Sequence, residues 1–286
     1  MKVRLKKVIA CLMAVILVVG IAPITVFAAE TVQSGQIGDN VYYTLDDAGT
    51  LTISGTGAMW DYDFIGNYSP FCYLPPIKSV IIKYGVTTIG NSVFYASDFT
   101  SVTIPDSVTS IGEGAFDSCY SLTSVTIPDS VTSIGNFAFF MCCNLENISI
   151  PESVISIGYD AFTYTGLYYN EDNWENNVLY IDNCLIVTRD SYGEGSSIVD
   201  CSIKSGTRLI ADHAFSECYN LRSVTIPDSV VIIGNGAFEY CENLEDVTIG
   251  KGVTTIGDAA FNYCYRLSVI TIPDSVSSMG AYIFAD

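Results

Sequence analysis

Basic residues are scarce in this chain: 12 lysines and arginines stand against 31 aspartates and glutamates, and histidine occurs once, at His213. A surface this acidic repels phosphates and anionic lipid heads, so nucleic acid and anionic membranes are poor partners. No CxxC pair, HExxH run or glycine-rich phosphate loop is present, which removes the common zinc, metalloprotease and nucleotide signatures. Beyond residue 28 no apolar run approaches the length of a membrane span.

What is present begins with an export signal. Lys2, Arg4, Lys6 and Lys7 precede an apolar run from Val8 to Gly20, and Val26, Phe27 and Ala28 close the segment. This predicts a secretory signal peptide over residues 1–28, too short in its apolar part for a stable span; a retained anchoring helix is the competing reading. Its removal takes four basic residues and no acidic one, moving the formal charge from −19 to −23. Charge of that size keeps a repetitive extracellular protein soluble.

The stretch Ile104 to Ile127, IPDSVTSIGEGAFDSCYSLTSVTI, ends where it starts again. Its opening isoleucine recurs as Ile82, Ile104, Ile127, Ile150, Ile203, Ile226, Ile249 and Ile272, and a phenylalanine twelve residues on recurs as Phe94, Phe116, Phe139, Phe162, Phe215, Phe238, Phe261 and Phe284. Both series step by 22, 23 and 23, jump by 53, then step by 23 three times. A period in the low twenties marks a stacked solenoid, and the jump marks an insertion of 30 residues between Phe162 and Ile203. A single coil cannot bury enough apolar surface to offset the ordering of its backbone, so neighbours must share the burial.

Within a coil, Leu122, Val125 and Ile127 alternate towards a core and read as a strand. Pro128, Asp129 and Ser130 turn the chain, Val131 and Ile134 return to the core, and the AFF run with Met141 and Cys142 is expected to form a short helical or 3-10 turn. Before the array, residues 30–40 read as a flexible lead. Val41–Leu45 and Thr50–Ser54 read as a hairpin that caps the first coil, with Trp60, Tyr62, Phe64, Tyr68, Phe71 and Tyr73 as aromatic cover. The resulting division is signal 1–28, lead and cap 29–78, repeats 79–162, insertion 163–200 and repeats 201–286. The last copy stops two residues after Phe284, short of its cysteine turn, which suggests truncation or an end covered by another module.

Nine cysteines remain after the signal, and Cys119, Cys142, Cys218, Cys241 and Cys264 share one repeat position. Export favours disulfides, but one register places these side chains in one layer of the stack, where they act as small buried hydrophobes. Thr165 fills the slot in one copy. A bridge between Cys184 and Cys201 stays open.

The run LTSVTIPDSVTSIGxxAFxxC resembles the BspA-like class of leucine-rich repeats of bacterial and protist surface proteins. The opening GDNVYYTLDDAGTLTISGTGAM is similar to the segment that precedes such arrays in secreted proteins of Gram-positive anaerobes. The match covers about residues 36–286. It implies a right-handed solenoid, mainly β with short helical or 3-10 turns and an N-terminal hairpin cap, exported to the cell surface or medium, with adhesion or protein binding as its role. Gly250 and Lys251 depart from the usual Pro and Asp, and no sorting signal or docking module is seen.

Two features are candidates for binding. In the insertion, Tyr164, Tyr168, Tyr169, Trp174 and Tyr180 lie among acids and amides, a composition suited to a sugar ring or a protein hot spot. The competing reading is a hairpin, with strands about Asp182 and Asn183, folded over the solenoid to bury those rings. On the strands, outward positions such as Thr126, Arg222 and Thr225 form a polar sheet face beside Asp106, Asp129, Glu152, Asp228 and Asp274; a ligand surface competes with simple solvation. Catalysis finds little support, since His213 occupies a position that is Gly114, Phe137, Asp160, Gly236 or Ala259 in other copies. Asp172 and Glu175 lack the spacing and glycine of a calcium loop. The expectation is a secreted or cell-surface, non-enzymatic module for a protein or glycan ligand, without cofactor or metal. The alternative is a structural spacer within a larger surface protein.

Overall fold

Each period folds as one coil with three sides. In the unit containing Phe139, the first side is the strand Ser124–Thr126, the second is Ser133–Ile134, and the third is the turn around the phenylalanine. Val125 and Ile127 face the core while Ser124 and Thr126 face out, as β-branched alternation requires. Pro128 ends the strand and its carbonyl accepts the Val131 amide, closing the turn to the second side. This is a computed structural model; it describes residues 30–63, 65–189 and 198–285, so the signal segment and Phe64 lie outside the described residues.

The third side corrects the expected helical turn. Amides of Ala138, Phe140 and Cys142 close three-residue turns onto Gly135, Phe137 and Phe139, but Phe137 and Met141 have φ of 55° and 56°, so no helix propagates. The alternate amides, of Phe137, Phe139 and Met141, donate instead to Tyr159, Ala161 and Thr163 of the next coil. The turn is thus a third hydrogen-bonded ladder. Short helices occur elsewhere, in the cap at Pro70–Tyr73 and in the insertion at Gly166–Tyr169 and Glu171–Asn173.

Coils stack through parallel strands on the first two sides. Ser79–Ile82, Ser101–Thr103, Ser124–Thr126 and Asn147–Ser149 form the first face, and Asp200–Ser202, Ser223–Thr225 and Asp246–Thr248 form its counterpart after the interruption. Inside, the anchor phenylalanines stack with centroids 5.2 Å apart for Phe94 and Phe116, 5.1 Å for Phe116 and Phe139, and 5.4 Å for Phe139 and Phe162. The stack resumes with Phe215 and Phe238 at 4.9 Å.

The cap begins earlier than its sequence suggests. β1 (Thr31–Gly38), β2 (Val41–Asp46) and β3 (Thr50–Gly55) form an antiparallel meander, and β3 pairs in parallel with Ser79–Ile82. Residues 31–38 are therefore a paired strand, not a flexible lead; the backbone groups of β2 supply the pairing that the mostly polar β1 does not advertise. Phe71 stacks on Phe94 at 5.4 Å and extends the phenylalanine column by one ring. Tyr62 packs beside the core, whereas Trp60, Tyr68 and Tyr73 stay largely exposed.

The described cysteines are all free. Thiols in the repeat slot donate to the preceding coil: Cys119 to the Phe94 carbonyl, Cys142 to Phe116, Cys241 to Phe215 and Cys264 to Phe238, at 3.1–3.2 Å. Cys184 and Cys201 do not bridge; they lie on strands of different sheets, Cys184–Thr188 and Asp200–Ser202.

The inserted hairpin, Val178–Ile181 with Cys184–Thr188, is not folded over the solenoid but built into it. Every residue of Cys184–Thr188 is buried, and the strand pairs in parallel with Leu209–Ile210 of the following coil. Leu179, Ile181, Cys184, Ile186 and Val187 join the N-terminal core, while Val178 and Leu185 join the C-terminal one. A strand apolar on both faces suits that sandwiched place. At the hairpin turn, Asp182 accepts the Ile150 amide at 2.8 Å. Arg208 donates to Asn183 at 3.0 Å, to the Val154 carbonyl at 2.6 Å and to that of Pro151 at 2.9 Å, tying the two blocks together.

Candidate binding site

The departure from the repeat starts at the cysteine slot. Thr165 fills it, donating its hydroxyl to the Phe162 carbonyl at 2.8 Å and accepting the Tyr168 amide at 3.2 Å, so it caps the one-turn helix Gly166–Tyr169. Gly166 follows where the copies with a slot cysteine carry Tyr120, Cys143, Tyr219, Glu242 or Tyr265; a Cβ here would approach the Leu145 carbonyl and Glu146 Cγ at 3.0 Å. Its small size lets the helix lie against the previous coil. The Trp174 indole then donates to the Tyr168 carbonyl at 2.8 Å, and Asn173 donates to Leu167 at 2.9 Å. Arg189 lies 4.4 Å from the Trp174 ring and pairs with Glu171.

These contacts gather a continuous aromatic ridge. His213 meets Tyr159, Tyr159 meets Phe137, Phe137 meets Phe140, and Phe140 meets Tyr164, with centroids 5.2–5.5 Å apart. Tyr164 continues to Tyr168 at 5.4 Å and Tyr169 at 6.3 Å, and Tyr168 meets Trp174 edge-on at 5.1 Å. Partial burial holds the Tyr168 phenol above its ordinary pKa. Of the ridge, Tyr169 is the most open ring, at 59% exposure.

Tyr169 also walls a cavity of about 520 Å³, completed by Cys143, Glu146, Asn147, Gly166 and Asn170. Glu146 and Asn147 continue into a shallower hollow of about 370 Å³ over Ser124, Thr126 and Ser149. One groove thereby runs from the strand face to the insertion. It arises because the first-face sheet stops at Asn147–Ser149, with the next coil's strand displaced by the hairpin.

Of the residues singled out in the sequence, Tyr164, Tyr168, Tyr169 and Trp174 come together, and Thr126 lies at the far end of the same groove. Tyr180 does not join them. Its hydroxyl accepts the Lys204 amide at 3.2 Å, and burial pushes its pKa up to about 12, beside a separate cavity of about 490 Å³. Arg222 and Thr225 are exposed on the second block, across the interruption. Sequence reasoning missed Glu146, Asn147, Asn170, Phe137, Phe140, Tyr159 and Arg189. A signal existed for two: Glu146 and Asn147 stand where the preceding coils carry Thr100 and Ser101, then Thr123 and Ser124.

The chemistry of these groups suits binding more than catalysis. Burial raises the pKa of the Cys119, Cys142, Cys241 and Cys264 thiols, keeping them protonated and poor nucleophiles. His213 faces Tyr159 and, at 3.5 Å, Glu239. Among the described residues, no three His, Cys, Asp or Glu side chains are placed to hold a metal ion, and no helix is long and apolar enough to cross a membrane.

Comparison with known proteins agrees with the coil geometry. The pattern of the BspA type leucine rich repeat region matches residues 63–187 and 186–286, in six copies. No curated protein matches the sequence. Among solved structures, a leucine rich cell surface protein from Faecalibacterium prausnitzii A2-165 is 25% identical, covering 90% of this chain and 87% of that one with a TM-score of 0.42. The T. pallidum leucine rich repeat protein is also 25% identical, covering 79% and 86%, with a TM-score of 0.34. With the repeat pattern spanning most of its length and the coils stacked as that pattern requires, the chain belongs to the BspA-type leucine-rich-repeat family.

Proposed function

We propose that this protein is a non-enzymatic binding module, exported to the cell surface or medium, which recognises a protein or glycan ligand at the interrupted seam of its array. The observation that supports this most is a contrast. Within each block the coils satisfy their backbone through three ladders, whereas at the seam the strand face ends and a groove opens beside Tyr169. The signal-like N-terminus and the acidic charge fit an extracellular setting.

Trp174 and Tyr169 have different parts in this reading. Trp174 is half-buried and clips the insertion through Tyr168 and Arg189, so its removal disturbs structure as well as recognition. Tyr169 is the cleaner probe. The full chain is to be tested against whole cells and immobilised matrix proteins by surface plasmon resonance. Tyr169→Ala is expected to weaken the response at least tenfold with an unchanged melting temperature. The spacer alternative draws on the regularity of the blocks and forecasts the opposite: no surface substitution matters, and removal of one whole coil is tolerated.

A further inference from the structure

We infer that the cavity beside Tyr169 is a subsite for a neutral, hexose-terminated glycan. This rests on the binding reading above and names its ligand class. The argument begins with hydrogen-bonding groups. Among the described residues, the Glu146 carboxylate, the Asn147 amide and the Asn170 Nδ2 have no intramolecular side-chain partner, while Asn170 Oδ1 accepts the Asp172 amide at 3.1 Å and is thereby fixed in place. An amide offers two donors and an acceptor, and a carboxylate offers acceptors only. Together they match the vicinal hydroxyls of a sugar ring, each of which both donates and accepts.

Beside these groups stands one open aromatic face. The Tyr169 ring meets Tyr168 with planes 87° apart and lies nearly parallel to Tyr164 at 25°. That support fixes the ring's orientation while it remains 59% exposed. The negative face of an aromatic ring attracts the polarised C–H bonds of a pyranose. A volume of about 520 Å³ falls within the range of roughly 300–1,000 Å³ for small-ligand pockets. The adjoining hollow over Ser124 and Thr126 offers further hydroxyls to a second sugar unit.

A peptide ligand fits less well. Protein hot spots are desolvated and apolar at their centre, whereas this cavity has a carboxylate and two amides around a single ring. The strand edge beside it is only three residues long, Asn147–Ser149, which limits strand addition. Charge selects further: a formal charge of −23 after signal removal, with Glu146 in the lining, disfavours sialic and uronic acids.

The test is a glycan array probed with the full chain, spanning neutral hexose, N-acetylhexosamine, sialylated and uronic termini, followed by titration of the best neutral hit. Tyr169→Ala and Asn147→Ala should each weaken binding at least tenfold, and Tyr265→Ala, at an exposed ring of the other block, should leave it unchanged. A preference for anionic termini, an empty array, or equal affinity of Tyr169→Ala would overturn the inference. Periodate treatment of target cells, which cleaves vicinal diols, separates the two levels of the argument. Loss of cell binding supports the glycan. Retained binding that depends on Tyr169 overturns the glycan while keeping the binding module, and absence of any cell or array binding overturns both.

Discussion

The imidazole of His213 covers the α-carbon of Gly236: a Cβ added there would meet the ring at 2.3 Å from Cε1 and 2.5 Å from Nδ1. The ring is hemmed in by Tyr159 and Glu239, and Gly236 itself has φ of 55°. Gly236→Ala is therefore expected to cost about 1–3 kcal/mol, from left-handed strain of ~1–2 kcal/mol and displacement of the ring. Adding His213→Ala should return the second part and leave the first. Urea unfolding of both single variants and the double variant measures the coupling.

Ala259 occupies the same turn position with φ of 53°. Ala259→Gly relieves the left-handed strain while loosening the unfolded chain, so a net gain of roughly 0.5–1 kcal/mol is expected. A rise in the urea midpoint at constant slope is the signature.

Buried thiols make stability fall in alkali. Burial pushes Cys184 and Cys264 up to about 12 and Cys201 to about 11, against ~8.5 in an unfolded chain. The folded state thus holds protons that the unfolded state releases, so the contribution is intact below about pH 8 and declines as pH rises through 9 towards 11. The slope is about 1.4 kcal/mol per pH unit for each such thiol once the unfolded form is ionised. Unfolding measured from pH 7 to 11 follows it. At neutral pH, a thiol reagent should label the exposed Cys72 and Cys143 quickly and the seven buried cysteines only on unfolding.

Arg208 carries the join between blocks. Its side chain is 13% exposed and donates to Asn183, Val154 and Pro151. Arg208→Ala should cost about 2–4 kcal/mol, because charge-assisted bonds are lost and two carbonyls are left without this donor. Lysine cannot reproduce the fork. With separate cores on either side, the variant's thermal unfolding should resolve into two transitions where the parent shows closer coupling.

The array was legible because its spacing is explicit: Phe94 to Phe162 and Phe215 to Phe284 fall into column at the positions counted. The turn around each phenylalanine was not, since Phe137, Asp160, His213 and Ala259 conceal the left-handed backbone that Gly114 and Gly236 reveal only when copies are compared. β1 escaped notice because TVQSGQIG buries little beyond Ile37 and Gly38, so pairing with β2, not burial, defines it. In the site, Tyr164, Tyr168, Tyr169 and Trp174 were close in sequence and stayed close in space. Tyr180 lies on the hairpin itself, where its hydroxyl accepts the Lys204 amide, and Glu146 and Asn147 come from the start of a strand in the preceding coil that only the stack brings alongside.

The phenylalanine column stops at Phe162 and restarts at Phe215, with the inserted hairpin between the two cores. Coils of one register can then be duplicated or deleted within either block while the seam between them keeps its local geometry. Array length and seam geometry are separate variables in this architecture: the number of coils in each block sets the first, and residues 163–189 with the adjoining strand set the second.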